Sequence, residues 1–171
     1  MSGGLFGRML DALGGRRRSA KRDRSTPAPP RPAAHAPASA DIGLDGVRFE
    51  YSPCLDGDPD PGEVVWTWVP YEDDPTQGKD RPVAIIGRHG RMLVGVALTS
   101  RHKDNEQQVA VGPGPWDREG RPSYAKIERV LDVDPDQVRR EGAVLGEAHF
   151  ADVVAGVQRV HGTRPASRRR H

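Results

Sequence analysis

Hydrophobic positions in the middle of the chain form short stretches rich in β-branched and aromatic residues, which is typical of β-strands. Turns with Gly and Pro separate the stretches, and the turn His89-Gly90 joins two of them in a predicted β-hairpin. The pattern predicts a short edge strand followed by about five further strands. Their ranges are 47–51, 62–70, 82–88, 91–100, 108–111 and 123–133.

Helical signals occur only near the end of the sequence. Asp134 followed by Pro135 is typical of a helix start and predicts a short helix to about Glu141. A second helix is predicted over about 146–160, because its apolar residues recur on one face that can pack on a sheet. These residues are Phe150, Val153, Val154, Val157 and Val160. Strands first and helices last predict a small α+β domain built on a curled antiparallel sheet, since no crossover helices separate the strands.

The two ends of the chain differ in composition from its middle. Residues 1–40 are basic and rich in Pro and Ala, which predicts a disordered tail. Residues 41–161 are the predicted domain, and residues 162–171 form a second basic tail. Apolar residues between Leu5 and Leu13 fit one face of a short helix, so a frayed tail and a docking or membrane-grazing helix both stay open.

The formal net charge of +2 hides an uneven distribution of charge. Residues 41–80 hold two basic and eleven acidic residues, whereas residues 81–161 are close to neutral. The positive excess lies in the two tails. The charge of the chain therefore does not by itself indicate a nucleic-acid binder.

No part of the sequence predicts membrane insertion or export. The longest apolar run, Met92–Leu98, is far shorter than a membrane span, and the first residues lack the apolar core of a signal peptide. A single cysteine, Cys54, excludes an intrachain disulfide and fits a cytoplasmic protein. Asp56 and Asp58 beside it disfavour a reactive thiolate.

The sequence carries no motif for a metal or a cofactor. DGDPDP (56–61) superficially resembles a calcium loop, but Pro61 and Thr67 stand where that loop requires Gly and Glu. There is no Gly-rich phosphate loop, and the six histidines form no ligand pair with the spacing of a zinc site. We therefore expect neither a metal nor a cofactor.

The most informative residues lie at the open end of the predicted hairpin. KDRP (79–82) enters one strand and LTS (98–100) leaves the next, so antiparallel pairing brings Arg81 near Thr99 and Ser100. A guanidinium beside hydroxyls suits the binding of a phosphate or of a developing phosphorane charge. The alternative is a structural arginine that pairs with a surface acid.

The same residues carry a resemblance to a known family, the PemK/MazF toxin endoribonucleases of toxin–antitoxin systems. The segments that resemble the family are PGEVVWTWVPYEDDPTQGKDRPVAIIGR (61–88), VGVALTS (94–100), GPGPWD (112–117) and RPSYAKIERVLDVD (121–134). The resemblance runs from about Pro61 to Val160. It implies a small SH3-like antiparallel β-barrel (MazF/CcdB-like) with C-terminal helices, usually a homodimer. It also implies metal-independent cleavage of single-stranded RNA and a cognate antitoxin protein as partner.

The resemblance also assigns roles to residues. The family's catalytic arginine and threonine match Arg81 and Thr99, and Ser100 takes the adjoining hydroxyl position. In the family's reaction the ribose 2′-OH attacks its own phosphate, leaving a 2′,3′-cyclic phosphate and a 5′-OH end. Arg81 would neutralise the phosphorane, and Thr99 would hydrogen-bond a phosphate oxygen. The residues expected to bind RNA are Lys79, Arg101, His102, Lys103, Trp116 and Arg121, with Lys126 and Arg129 on the same side.

Several alternatives stay open at this level. Trp116, in a Gly/Pro loop, is the expected platform for an RNA base or an antitoxin group. Trp66 and Trp68 share one strand face, which either packs in the core, the favoured expectation, or offers an aromatic surface to RNA. His102 is either a proton acceptor or a solvated loop residue. The acidic region 41–80 opposes a polyanion unless it points away from the site or gates it.

Two functions compete with catalysis. The chain could be a non-catalytic module that binds RNA or a protein partner through the same surface. Alternatively, its basic tails could recruit the domain to nucleic acid or to an anionic membrane.

Overall fold

The structure, a computed structural model, describes residues 39–40 and 43–162. These residues belong to one compact unit, Ala34–His171. The basic tail predicted over 1–40 therefore lies outside the described residues except for its last two positions, and so does the second tail beyond Gly162. The predicted short helix near Leu5 lies outside them as well.

Antiparallel strands make up most of the described chain. In order, the elements are β1 (Ser39–Ala40), β2 (Arg48–Phe49), β3 (Glu63–Pro70), β4 (Gly78–His89), β5 (Met92–Thr99), β6 (Gln108–Gly112), β7 (Ser123–Lys126), β8 (Leu131–Val133), a 3₁₀ turn (Pro135–Gln137), β9 (Arg139–Val144) and α1 (Glu147–His161). The first five predicted strands are confirmed. One of them, β4, begins at Gly78, so that Arg81 lies inside the strand and not at its start.

The β3–β4–β5 meander forms the centre of the sheet. The strand order is β1-β8-β5-β4-β3-β9; β2 adds to β4, and the β6–β7 hairpin attaches to the end of β5. Neighbouring residues of the meander belong to two different core clusters. Val64 and Ile86 belong to the first cluster, and Val65 and Ile85 belong to the second. Both faces are thus buried, which explains why these strands are nearly continuous apolar runs.

Helix α1 confirms the second predicted helix and packs on the first of these clusters. Phe150, Val153 and Val157 are buried, as the apolar stripe predicts. Gly156 permits the close approach, since a Cβ there would come within 2.9 Å of Ile127. The predicted apolar stripe includes Val160, but this residue is 40% exposed, so the packed face ends before it.

The strand predicted over 123–133 is wrong as one element. It divides into β7 and β8, and both pair with β5. Leu98 pairs with Ala125, and Gly95 pairs with Leu131. The chain therefore advances six residues from β7 to β8 while β5 advances only three. The extra residues turn the backbone between two parts of a curled sheet. Burial still alternates from Ser123 to Arg129, which is why the sequence pattern did not reveal the break.

The first predicted helix is also wrong in length. Asp134 caps it as expected, accepting a hydrogen bond from the N–H of Asp136 at 2.9 Å, but the helix is a single 3₁₀ turn that ends at Gln137. Val138 is extended, and the chain continues as β9, which pairs with the edge of β3. Arg139–Val144 (RREGAV) lacks a strand pattern, so only the open edge of β3 explains this strand.

Within the described part of the chain, no helix is long and apolar enough to cross a membrane.

Candidate active site

A cavity of about 720 Å³ lies where β4 begins and β5 ends. Eight of the nine predicted site residues contribute to its wall. They are Lys79, Arg81, Thr99, Ser100, Arg101, Lys103, Trp116 and Arg121. The fold therefore brings together residues from β4, from the end of β5 and from the loop before β7.

The register of the sheet explains why Arg81 and Thr99 meet. Val83 pairs with Ala97, and the same register extended by two residues sets Arg81 opposite Thr99. Each is also held from its other side, Arg81 by pairing with Thr67 and Thr99 by pairing with Tyr124. Both backbones thus lie inside the sheet, which fixes them more firmly than a loop would.

Lys79, Arg81 and Arg101 form a cation cluster in this wall. Burial lowers the pKa of the half-buried Arg81, and the charges of Arg101 and Arg129 add to the lowering, whereas Tyr71 opposes it. The guanidinium of Arg81 lowers the pKa of Lys79, with burial and Arg101 contributing less.

None of these three cations has an ion-pair partner among the described residues. Among the described residues, Arg81 therefore lacks the surface acid that the alternative of a structural arginine requires. Positive charge that no carboxylate balances is available to an anionic ligand.

Local hydrogen bonds fix the chain just after β5. The Oγ1 of Thr99 accepts a hydrogen bond from the N–H of Arg101 at 3.1 Å. Gln108 holds the loop from both sides: its Nε2 donates to the carbonyl of Arg101 at 3.2 Å, and its Oε1 accepts from the N–H of Lys103 at 2.8 Å. The Thr99 hydroxyl acts only as an acceptor in its hydrogen bond with the backbone. Its own proton is therefore available for donation to a ligand.

Asp80 and Arg139 are cavity residues that the sequence analysis missed. They form an ion pair with 2.6 Å between Nη2 of Arg139 and Oδ2 of Asp80, and both contribute to the wall. Arg139 was assigned to the helix that the structure replaces with β9. No local signal could have placed it beside β4, since the pairing of β9 with β3 is a tertiary contact.

Arg121 differs from the cation cluster because acids neutralise it. Its Nε donates to Asp117 at 2.9 Å, and its Nη1 lies 3.2 Å from Glu119. The hydrogen bond to Asp117 raises the pKa of Arg121, and the same bond lowers the pKa of Asp117. The predicted RNA contact of Arg121 thus comes from a residue already held in a surface ion pair.

The three tryptophans differ in how they reach the cavity. Trp116 lines it, but only 5% of the residue is exposed and its Nε1 donates to Oγ of Ser123 at 3.0 Å, so its role as a stacking platform stays a prediction. Trp66 and Trp68 are half-buried and not core residues. Trp66 lines the cavity, whereas the ring of Trp68 lies over Gly78, where a Cβ would come within 2.6 Å of it.

Two further predicted residues lie outside this cavity wall. The ring of His102 packs on Tyr124, with 4.7 Å between ring centroids, and His102 does not line the cavity. Arg129 is buried and contributes to a second cavity, so the expectation that it lies on the side of Arg121 is wrong. Lys126, expected with it, does reach the first cavity and forms ion pairs with Glu72 and Glu128.

The acidic region 41–80 is distributed over the molecule and does not form one barrier. Glu50 and Asp60 pair with Arg88 near the far end of β4, and Glu72 pairs with Lys126. Among the described acids of this region, Asp80 is the one in the wall of the first cavity. Most of the negative charge that opposed a polyanion is therefore directed elsewhere.

One group of possible metal ligands lies in the acidic turn between β2 and β3. The donor atoms of Cys54, Asp56 and Asp60 are within 4.8 Å of one another, but none of these residues lines the cavity. A hydrogen bond to Asp56 and its negative charge raise the pKa of the Cys54 thiol, as expected for Asp56, while Asp60 and Glu63, and not Asp58, are the other acids that contribute. We assign no metal to this exposed turn.

Comparisons with known proteins agree with the resemblance seen in the sequence. A family model described as the PemK-like, MazF-like toxin of type II toxin–antitoxin systems matches residues 60–161. The fold is similar to a crystal structure of MazF (Form-I) from Deinococcus radiodurans, with 18% identity over 63% of this chain and 100% of that chain and a TM-score of 0.51. This likeness confirms the predicted curled antiparallel barrel, with one C-terminal helix in place of the predicted helices.

A further similar structure is an endoribonuclease in complex with its cognate antitoxin from Mycobacterial species. It is 17% identical over 61% of this chain and 95% of that chain, with a TM-score of 0.48. No curated protein matches the chain.

Proposed function

Because the chain belongs to the family of PemK-like, MazF-like toxins of type II toxin–antitoxin systems, we propose that it is an endoribonuclease that cleaves single-stranded RNA without a metal. The observation that carries the proposal is the cation cluster of Lys79, Arg81 and Arg101, which has no carboxylate partner among the described residues and shares a cavity with Thr99. A half-buried guanidinium beside a hydroxyl donor provides the contacts that a phosphodiester in a charged transition state requires.

The reaction is an internal phosphoryl transfer. The ribose 2′-oxygen attacks the adjacent phosphorus, the bond from phosphorus to the 5′-oxygen of the next nucleotide breaks, and the products are a 2′,3′-cyclic phosphate and a 5′-OH end. Arg81 stabilises the extra negative charge on the phosphorane, and Thr99 donates its hydroxyl proton to a phosphate oxygen. Ser100 supplies a second hydroxyl next to it.

Two proton transfers complete the reaction. We assign the acceptor of the 2′-OH proton to Asp80, the carboxylate next to Arg81 in the chain, which Arg139 holds at the cavity. His102 is less suited to this role because its ring packs on Tyr124 outside the cavity wall. The leaving 5′-oxygen takes its proton from Arg81, whose lowered pKa makes this donation easier than for an ordinary arginine.

The wall of the cavity also provides a path for the RNA strand. Lys79 at the start of β4 and Arg101 and Lys103 after the end of β5 supply positive charge, and the half-buried Trp66 supplies an aromatic surface. These are the two components, charge and stacking, on which single-stranded nucleic-acid binding depends.

The partner proposal follows from the family. A type II toxin is paired with a protein antitoxin, and an acidic antitoxin segment in the cavity would neutralise the same cations that bind RNA. The homodimer implied by the sequence resemblance stays a prediction, which light scattering on the purified protein measures directly.

The test is RNA cleavage with mapping of the ends. Purified protein is expected to cut single-stranded RNA in the presence of EDTA and to leave cyclic phosphate and 5′-OH ends, whereas Arg81→Ala abolishes cutting. Binding of RNA without any cleavage, insensitive to Thr99→Ala, would instead support the non-catalytic module. An unaltered cleavage rate in Arg81→Ala would remove the proposed site.

A further inference from the structure

A second cavity, of about 300 Å³, adjoins the candidate active site. Arg81 and Lys126 contribute to the walls of both cavities. The second cavity has an apolar floor formed by Val69, Ala97 and Leu131. It is thus an extension of the proposed site on the far side of Arg81.

The feature that singles out this cavity is Arg129, a cation that is only 9% exposed. Its Nη1 donates to the carbonyl of Pro70 at 2.6 Å, which is a neutral partner. Its Nε is buried and has no hydrogen-bond partner among the described residues, and no carboxylate pairs with it there. A buried charge without a counter-charge is costly to the fold, so Arg129 indicates a ligand that carries the missing negative charge.

The other charges around the cavity do not provide that counter-charge. Glu72 and Asp73 lie at its rim and are exposed, and Glu72 is 3.7 Å from Lys126. Lys126 also forms an ion pair with Glu128, with 3.4 Å between Nζ and Oε1. The excess positive charge therefore comes from Arg129 and Arg81, which are close enough that Arg129 contributes to lowering the pKa of Arg81.

We propose that the second cavity binds the phosphate next to the scissile phosphate of the same RNA strand, with Arg129 as its principal ligand. The proposal rests on the proposed function of the first cavity. An RNA strand places its phosphates one nucleoside apart, and Arg81 and Arg129 offer one unbalanced guanidinium for each of two such phosphates. The apolar residues of the same cavity take the ribose or the base, and Tyr71 adds a hydroxyl donor to the lining.

The experiment compares ligands that carry one or two phosphates. Binding of nucleoside 3′-monophosphates and nucleoside 3′,5′-bisphosphates, each with the four bases, is measured by calorimetry on the full chain. We expect the wild-type protein to bind the bisphosphates at least tenfold more tightly. In Arg129→Gln this preference should fall to within about twofold, while the affinity for monophosphates stays unchanged, because only the second phosphate has lost its ligand.

Arg91→Gln is the matched control, since Arg91 is an exposed arginine in the turn between β4 and β5 and lines neither cavity. It should keep the full preference. If Arg129→Gln shows no thermal unfolding transition, Arg129→Lys is used in its place. The preference of Arg129→Lys for bisphosphates over monophosphates should be smaller than that of the wild type but still measurable.

Three outcomes would overturn the proposal: an unchanged preference in a folded Arg129 variant, an equal loss for both ligands, or an acidic peptide that binds through Arg129 more tightly than the bisphosphates do. The last would assign the cavity to a protein partner. The probes cannot be cleaved by the proposed reaction, so failure of the two proposals is distinguishable. A protein that prefers bisphosphates but never cuts RNA lacks the proposed function only, and one that cuts RNA without the preference lacks the second phosphate site only.

Discussion

Two arginines on the same strand of this protein, Arg81 and Arg88, have opposite surroundings. Arg88 pairs with Asp60 and also lies 3.8 Å from Glu50. Arg81 lies among cations and has no ion-pair partner in the part of the chain that the structure describes. The difference shows that an arginine in a strand carries no fixed meaning, because the role depends on which elements flank it.

The flanking elements explain the difference. At the end of β4 that carries Arg88, strand β2 pairs with β4 and the acidic turn that follows β2 supplies a carboxylate. At the other end, the strands on the two sides of Arg81 present Thr67 and Thr99, which are neutral. The first arrangement balances charge and stabilises the fold. The second leaves charge unbalanced, which costs stability and makes it available to a phosphate.

The largest effect that separates the two arginines is expected in catalysis. Arg81→Gln should lower kcat for RNA cleavage by about 10²–10³-fold or more, the loss typical when a group that stabilises transition-state charge is removed. Arg88→Gln should leave kcat within about twofold, since Arg88 lines neither cavity. Steady-state cleavage of one fluorescent RNA by both variants measures this, and equal losses would remove the contrast.

Asp80→Asn tests the acid that lies beside Arg81. If Asp80 accepts the 2′-OH proton, kcat should fall about 100-fold, the loss typical of removing a general base. KM should not rise, because the substitution removes a negative charge near a polyanion. Single-turnover rates and RNA affinity are measured separately, and a lower KM with unchanged kcat would mean that Asp80 only screens the cluster.

The two arginines should also differ in their effect on stability. Arg88→Gln should lower the free energy of unfolding by about 1 kcal/mol, because it breaks a partly buried ion pair. Arg81→Gln should cause no loss, because it relieves repulsion from Arg101 and Arg129. Urea unfolding of both variants at low and moderate salt measures the difference, and a destabilised Arg81→Gln would argue against a charge held at the expense of stability.

The smallest effect concerns Lys79 at alkaline pH. Since Arg81 holds the pKa of Lys79 below the ordinary lysine range, Lys79 loses its charge at a lower pH than a free lysine does. RNA affinity should therefore decline a few-fold as pH rises through that lowered pKa, and Lys79→Arg should shift the decline upward. Both proteins, with Lys79 or with Lys79→Arg, also carry Thr99→Ala, so that the RNA is not cleaved during the measurement. Their RNA affinity is measured by fluorescence anisotropy across pH. If the affinity of the Lys79 protein and that of the Lys79→Arg protein change identically with pH, the charge of Lys79 does not contribute to RNA binding.

Part of the candidate site could be predicted because its residues are close in sequence. Arg81 and Thr99 belong to one hairpin, so both are expected near its open end, although a bulge between Ile85 and Gly87 decides the exact register. Ser100, Arg101 and Lys103 continue directly from the same strand. Their roles stay predictions, but their convergence on one cavity did not require knowledge of the rest of the fold.

The errors that matter most for the site fall where separate segments of the chain meet. The burial of Trp116 depends on Ser123 and the core beneath it, although its Gly/Pro loop is typical of exposed residues. Arg129 was predicted from the alternation of a strand that the structure divides, and it turns to Pro70, far away in sequence. Asp80 and Arg139 meet only because β9 adds to the edge of β3.

The amino-acid sequence by itself determined the β3–β4–β5 meander, helix α1 and the convergence of Arg81 with Thr99 and Ser100 at one end of the hairpin, because apolar periodicity and short turns act between neighbouring residues. Only the tertiary structure decided which positive charges are balanced. Arg88 obtains Asp60, 28 positions away in the chain, whereas Arg81 and Arg129 obtain no carboxylate within the described residues. The physical reason is that an ion pair depends on distance in space, which local patterns do not encode until the sheet has closed.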